Sequence, residues 1–255
     1  MFDKACRAGA HAVIVDLEDA VPFADKAQAR AALAAWLGAG HRPAQPVLIR
    51  INGADTAWFA DDLALCGAPG VGGVVLSKAE GVDDIARLRE AGAAAILPLI
   101  ESAAGFDHVR AIASAPGVRR LLFGSIDFQL DLGIRGEREE LLLFRSQLVL
   151  VSRLAGLQAP VDGVSTSIGD AARLTLDAIH ARQMGFGGKL CIHPKQVPEV
   201  NRCFRPGEEE LAWAKRVLAA AAASGGAAVA LDGKMIDRPV ILRAQQMLDE
   251  SGQQE

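Results

Sequence analysis

Tyrosine is missing altogether from this chain of 255 residues, and aromatic side chains make up only 5 % of it. Lys and Arg are scattered, the net charge is −4, and no basic face studded with aromatics can be drawn, which argues against nucleic acid as a partner. The four cysteines, Cys6, Cys66, Cys191 and Cys203, are far apart and form no C-x-x-C pair. A disulfide framework is therefore not indicated, and a reduced, cytoplasmic protein is expected. No stretch reaches the ~18 apolar residues of a membrane span, so no membrane partner is expected. The opening MFDKACRAGA lacks the apolar core of a signal peptide. No G-x-G-x-x-G follows a strand-like run, which weakens a dinucleotide fold, and no G-x-S-x-G elbow is present to activate a serine.

What the chain does have is a large apolar fraction, 51 %, and a regular rhythm. Short aliphatic runs at 12–15, 47–49, 74–76, 95–100, 121–123, 159–164 and 188–194 read as strands. Between and around them, 2–9, 24–38, 56–66, 82–91, 104–113, 137–156 and 169–184 read as helices, with further helical segments at 207–224 and 239–250. Seven strands recurring about every 25–30 residues, each followed by a helix, predict a parallel α/β sheet. A (β/α)8 TIM barrel needs eight strands, and the chain opens on a helix. The expectation is therefore a barrel lacking its first strand, which would have stood before residue 1, with an open doubly wound sheet as the alternative.

The strand ends carry the chemistry. The run Leu121–Phe123 ends in Gly-Ser-Ile-Asp127, and Ala95–Ile100 ends in Glu101. In a parallel barrel these two acids fall side by side on the C-terminal rim, where like charges repel unless a cation lies between them. Each acid alone could merely cap the next helix. The pair predicts a hard divalent ion, Mg²⁺, held by Glu101 and Asp127. Asp16, Glu18 and Asp19 crowd the first strand's exit, and Glu18 and Asp19 could hold the metal's waters. Arg50 ends the second strand, placed either to grip a carboxylate or enolate oxygen or to pair with the acids of the first exit. Lys78 is expected in an ion pair rather than as a Schiff base, and His193 as a hydrogen-bonded structural group.

With these residues in view, the sequence resembles the citrate lyase β-subunit-like family of the HpcH/HpaI aldolase group. The matching stretches are AVIVDLEDAVP (12–22), LIRING (48–53), LSKAE (76–80), LPLIESAAG (97–105), LLFGSIDFQLDLG (121–133), GFGGKLCIHPKQV (185–197) and DGKMIDRPV (232–240). The resemblance implies a Mg²⁺-dependent barrel over 1–205 and a C-terminal helical segment, 206–255, packed on a neighbouring subunit of a homotrimer or homohexamer. It implies cleavage or formation of a 3-hydroxyacyl-CoA of the citryl, malyl or citramalyl type, with a 2-oxo acid and an acyl-CoA as the other partners. A metal aldolase on free 2-oxo acids, a malyl-CoA-type thioesterase or synthase, and a catalytically silent relic are the alternatives. Glu101 and Asp127 are implied as metal ligands, Arg50 as the enolate-steadying residue, and Arg50, Glu101, Glu18 and Asp19 as the groups facing substrate. Asp237 is implied as an acid/base that reaches a neighbour's site; its own surroundings suggest only a helix cap before Pro239. Family members begin with a strand of the type R-x-x-L-F-V-P-G. Here only the tail FDKA is present, so a start earlier than residue 1 is expected.

Overall fold

The computed structural model describes residues 2–41, 43–224 and 228–252. The chain divides into two compact units between Val200 and Asn201. The first contains α1 (Phe2–Cys6), β1 (Val13–Asp16), α2 (Lys26–Gly38), β2 (Val47–Ile51), α3 (Phe59–Cys66), β3 (Val71–Leu76), α4 (Val82–Glu90) and β4 (Ile96–Ile100). It continues with α5 (Ala103–Asp107), α6 (Val109–Ser114), β5 (Leu122–Phe123), α7 (Ser125–Leu132), α8 (Leu142–Leu154), β6 (Val161–Asp162), α9 (Ala171–Met184) and β7 (Gly188–Lys189). The division falls within α10 (Val197–Phe204).

The seven strands form one parallel sheet whose spatial order is the chain order, β1 to β7. That order is barrel winding; a doubly wound sheet reverses direction at a switch point and is excluded. Among the described residues no ladder joins β1 to β7, and the sheet has seven strands. Its residues alternate between two buried faces, as a covered parallel sheet requires. Leu48, Val75, Leu99 and Leu122, from four successive strands, form one cluster with Ile14, Leu97, Val161 and Leu190 against it. The alternating positions Ile49, Val74, Ile100 and Phe123 are also buried. Among the described residues no helix is long and apolar enough to cross a membrane.

Several local expectations need correction. The stretch after Phe123 is not an extended strand exit: α7 starts two residues later, at Ser125, and Asp127 lies in its first turn. Phe128 drives this, its ring 5.4 Å from Phe123 and 4.7 Å from Phe144 in an edge-to-face aromatic cluster. Helix 104–113 is two helices that meet at His108, and helix 137–156 starts only at Leu142, after a 3-10 turn. The run 188–194 contributes two strand residues; Pro194 then opens a 3-10 turn leading into α10.

In the second unit, α11 (Glu208–Ala223) and α12 (Arg238–Gly252) pack about Ala214, Val217, Ile236, Ala244 and Met247. The Asp232-Gly233 segment is the turn of an antiparallel hairpin of β8 (Val229–Leu231) and β9 (Lys234–Ile236). Both turn residues have positive φ, 52° and 74°, the geometry for which Asp-Gly is preferred.

Candidate active site

The ladder register builds the first half of the site. Asp16 and Arg50 stand opposite each other at the ends of β1 and β2. Arg50 Nε and Nη2 donate to the two Asp16 oxygens at 2.7 and 2.5 Å, a two-pronged pair. Arg50 Nη1 lies 2.9 Å from Glu18 Oε2 and 3.5 Å from Asp19 Oδ2. Of the two arrangements open for Arg50 in the sequence, the structure shows the ion pair with the acids of the first exit. Burial alone would raise the Asp16 pKa, but the bonds and charge of Arg50 override it and hold the carboxyl below its usual range. Burial pushes Glu18 up to about 7; the charge of Arg50 opposes that rise and Asp19 adds to it. The acids around Arg50 outweigh its own desolvation, so the guanidinium stays charged.

Polar residues that the sequence did not single out lock these loops. Lys26, buried at the start of α2, donates to the Leu17 and Glu18 carbonyls, both at 2.8 Å, and to Asn52 Oδ1 at 2.7 Å. Asn52 donates to Leu17 O and to Asp62 Oδ2, and Asp62, with no exposed surface, also takes Arg30 Nη1 at 3.1 Å. An isolated buried charge is costly, so each ion here is matched by fixed partners.

Glu101 supplies the second half. It is 4 % exposed at the end of β4, and its Oε1 accepts the Lys78 backbone N–H at 2.7 Å. Lys78 reaches that position with φ at 46°, a left-handed backbone that costs a non-glycine residue about 1 kcal/mol or more. Its ammonium is exposed and forms no ion pair among the described residues, contrary to expectation; its contribution here comes from the backbone. Glu101 also lies over Gly124, where a Cβ would come within 2.5 Å of Glu101 Cβ and Oε2, so only glycine fits. Burial pushes the Glu101 pKa up to about 8; the Lys78 N–H opposes the shift, and the charges of Asp127 and Glu18 add to it. Asp127, half-buried, forms no hydrogen bond or ion pair with the described residues.

The structure thus brings Arg50, Glu18, Asp19 and Glu101 to one rim with Asp127 in electrostatic reach. Asp237 belongs to the second unit. There its Oδ1 accepts the Val240 N–H at 3.4 Å, the capping role its own surroundings suggest. His193 is also a cap, its Nδ1 accepting the Lys195 N–H. No group of three or more His, Cys, Asp or Glu able to chelate a metal occurs among the described residues. Two neighbouring carboxylates, one buried and one without a cation, nevertheless suit Mg²⁺, which keeps most of its shell for water and substrate.

The family model for HpcH/HpaI aldolase/citrate lyase matches residues 1–194. A citrate lyase subunit beta-like protein of Deinococcus radiodurans is 36 % identical over 97 % of this chain and 92 % of its own length. A (3S)-malyl-CoA thioesterase of Cereibacter sphaeroides is 34 % identical over 97 % of this chain and 88 % of its own. Among solved structures, protein CitE of Mycobacterium tuberculosis, in complex with magnesium, acetoacetate and coenzyme A, superposes with a TM-score of 0.87 at 34 % identity, covering 98 % of this chain and 93 % of that one. The chain belongs to the HpcH/HpaI aldolase/citrate lyase family.

Proposed function

We propose that this protein is a Mg²⁺-dependent carbon–carbon lyase that splits a 3-hydroxyacyl-CoA of the citryl, malyl or citramalyl type into a 2-oxo acid and an acyl-CoA, or runs the reverse condensation. The observation that carries the reading is the meeting of a buried glutamate, an uncompensated aspartate and a clamped arginine on one barrel rim. Glu101 and Asp127 would hold the ion, which supplies positive charge at the substrate's carboxylate and adjacent oxygen. Arg50 is oriented by Asp16 along one edge and presents Nη1 on the other. Glu18 competes for Nη1 weakly near neutral pH because its own proton affinity is high. Exchange of Glu18 for an enolate or carboxylate oxygen then places a fixed charge where negative charge develops, an effect worth roughly 3–4 kcal/mol for one well-placed donor. Glu18 and Asp19 would order the waters around the ion. Asp237 would donate or accept the substrate proton in a neighbouring subunit of a trimer or hexamer. We place the enzyme in the cytoplasm, in keeping with four cysteines present as thiols.

The thioesterase among the relatives supports a second reading, in which water attacks the thioester at the same site. An assay of malyl-, citramalyl- and citryl-CoA, and of free 2-oxo acids with and without CoA esters, separates lyase, thioesterase and simple aldolase. Glu101→Gln and Asp127→Asn should abolish turnover with the fold intact. Full activity in EDTA would overturn the metal role.

A further inference from the structure

Beside the carboxylate pair lies a second set of buried charges that the proposed chemistry does not use. Arg145 occupies the buried face of α8, its Nε donating to Asp162 Oδ1 at 2.8 Å and its Nη1 to the Glu137 carbonyl at 2.7 Å. Lys189, at the end of β7, places Nζ 3.7 Å from Asp162 Oδ2 and donates to the Gly163 carbonyl at 2.6 Å. Arg145, Asp162 and Lys189 are 6, 2 and 9 % exposed. Apolar residues of the same volume often fold as well as such clusters, so stability is a poor reason for one to be there.

Its geometry leads to the metal ligands. A Cβ at Gly163 would lie 2.2 Å from Ser125 Oγ, 2.9 Å from Ser125 Cβ and 3.1 Å from the Phe123 carbonyl. The backbone that Lys189 holds therefore lies close against Ser125, the first residue of α7, with no room for a side chain between them. Asp127 is two residues further along the same turn. Phe128 anchors the helix on its buried side through the aromatic cluster, so contact at Ser125 governs how the first turn is set.

We infer that the Arg145–Asp162–Lys189 cluster is a positioning device: by holding Gly163 through its carbonyl, with the Cα of Gly163 close beside Ser125, it sets the first turn of α7, and so the Asp127 carboxylate relative to Glu101. The inference rests on the reading of Glu101 and Asp127 as a Mg²⁺ pair. Mg²⁺ demands near-ideal octahedral geometry, so a shift of a few tenths of an ångström in one carboxylate weakens binding.

The test is calorimetric titration of the full chain with Mg²⁺ alone, with thermal unfolding in EDTA run alongside. Wild type should bind and Asp127→Asn should not; a wild type that binds no Mg²⁺ overturns the metal reading and this inference with it. Lys189→Met keeps the Arg145–Asp162 pair and removes the hold on Gly163 together with the longer Lys189–Asp162 contact, and Gly163→Ala pushes on Ser125. Each should weaken Mg²⁺ binding by roughly tenfold, the effect typical of lost supporting contacts around metal ligands. Removing the clashing side chain, in Gly163→Ala/Ser125→Gly, should restore most of the affinity. Unchanged Mg²⁺ affinity in folded Lys189→Met and Gly163→Ala overturns the inference and leaves the metal pair standing. A cluster that served stability alone would lower the EDTA unfolding temperature without moving that affinity, which also overturns it. If Gly163→Ala fails to fold, Lys189→Met decides.

Discussion

The most direct consequence of burying Glu101 is an inverted pH dependence of stability. Its ordinary pKa of 4.5 rises to about 8 in the folded chain. Below pH 4.5 the carboxyl is protonated in both states and contributes no slope. Between that value and 8 the folded protein holds a proton that the unfolded chain has released, so stability falls as pH rises. A full proton difference gives about 1.4 kcal/mol per pH unit. From pH 6 to pH 8 the integrated loss is about 2 kcal/mol, because the folded carboxyl is half ionised at the upper end. Glu18 is shifted in the same direction and adds to the wild-type slope. The clean measurement is therefore the difference between wild type and Glu101→Gln, by urea unfolding in EDTA at closely spaced pH values. Wild type should lose about 2 kcal/mol relative to the variant over that range. Saturating Mg²⁺ should reverse the trend in wild type, because the ion displaces the proton and binds more tightly as pH rises. A flat or rising difference curve in EDTA would refute the account of Glu101 as a desolvated acid.

Other outcomes follow from the same geometry. Arg50→Lys keeps the charge but loses the two-pronged grip on Asp16, and should lower kcat/KM by roughly 100-fold in a steady-state assay with only a small stability change. Asp62→Ala removes a fully buried acceptor shared by Asn52 and Arg30 and should destabilise the fold by about 3 kcal/mol in denaturant unfolding. Gly124→Ala should abolish Mg²⁺ binding measured by calorimetry, since its Cβ would occupy the space of Glu101. Mixing inactive Asp237→Asn with inactive Arg50→Ala should restore partial activity if the two residues meet across subunits, and no recovery would rule that arrangement out.

The sheet was legible because its strands are aliphatic runs buried on both faces, and their even spacing left barrel winding as the simplest course. The rim acids were legible for a related reason: a charge directly after such a run must emerge where the core ends. Three features were hidden. A two-residue strand such as β5 is too short to have a period, so the immediate start of α7 could be found only through Phe128 and its three aromatic neighbours. The Asp232-Gly233 hairpin had a signal, the Asp-Gly dipeptide between two short β-compatible runs, but the Ala-rich segment before it masked the first strand. Arg145 also had one: it shares a helix face with Leu148 and Ser152, both buried, and a charge on a buried face requires a buried partner. Which partner, Asp162, is a tertiary fact that no local pattern contains.

The carboxylates of the rim are sorted by their surroundings into two kinds, and the sorting assigns their work. Asp16 is tied to Arg50 and to the N–H groups of Glu18 and Ala20, so it remains ionised and serves as a permanent counterion. Glu101 and Glu18 lie where burial outweighs the nearby guanidinium, and both retain protons near neutral pH. One arginine cannot compensate the five acids Asp16, Glu18, Asp19, Glu101 and Asp127, and Asp16 already takes two of its hydrogen bonds. A proton can neutralise Glu101, but a cation shared with Asp127 would also offer coordination positions of its own to orient a substrate. Acids held apart in proton affinity within one site are the usual mark of divided roles in catalysis. Here the division separates Asp16, which aims the arginine, from Glu101 and Glu18, whose hold on a proton burial strengthens.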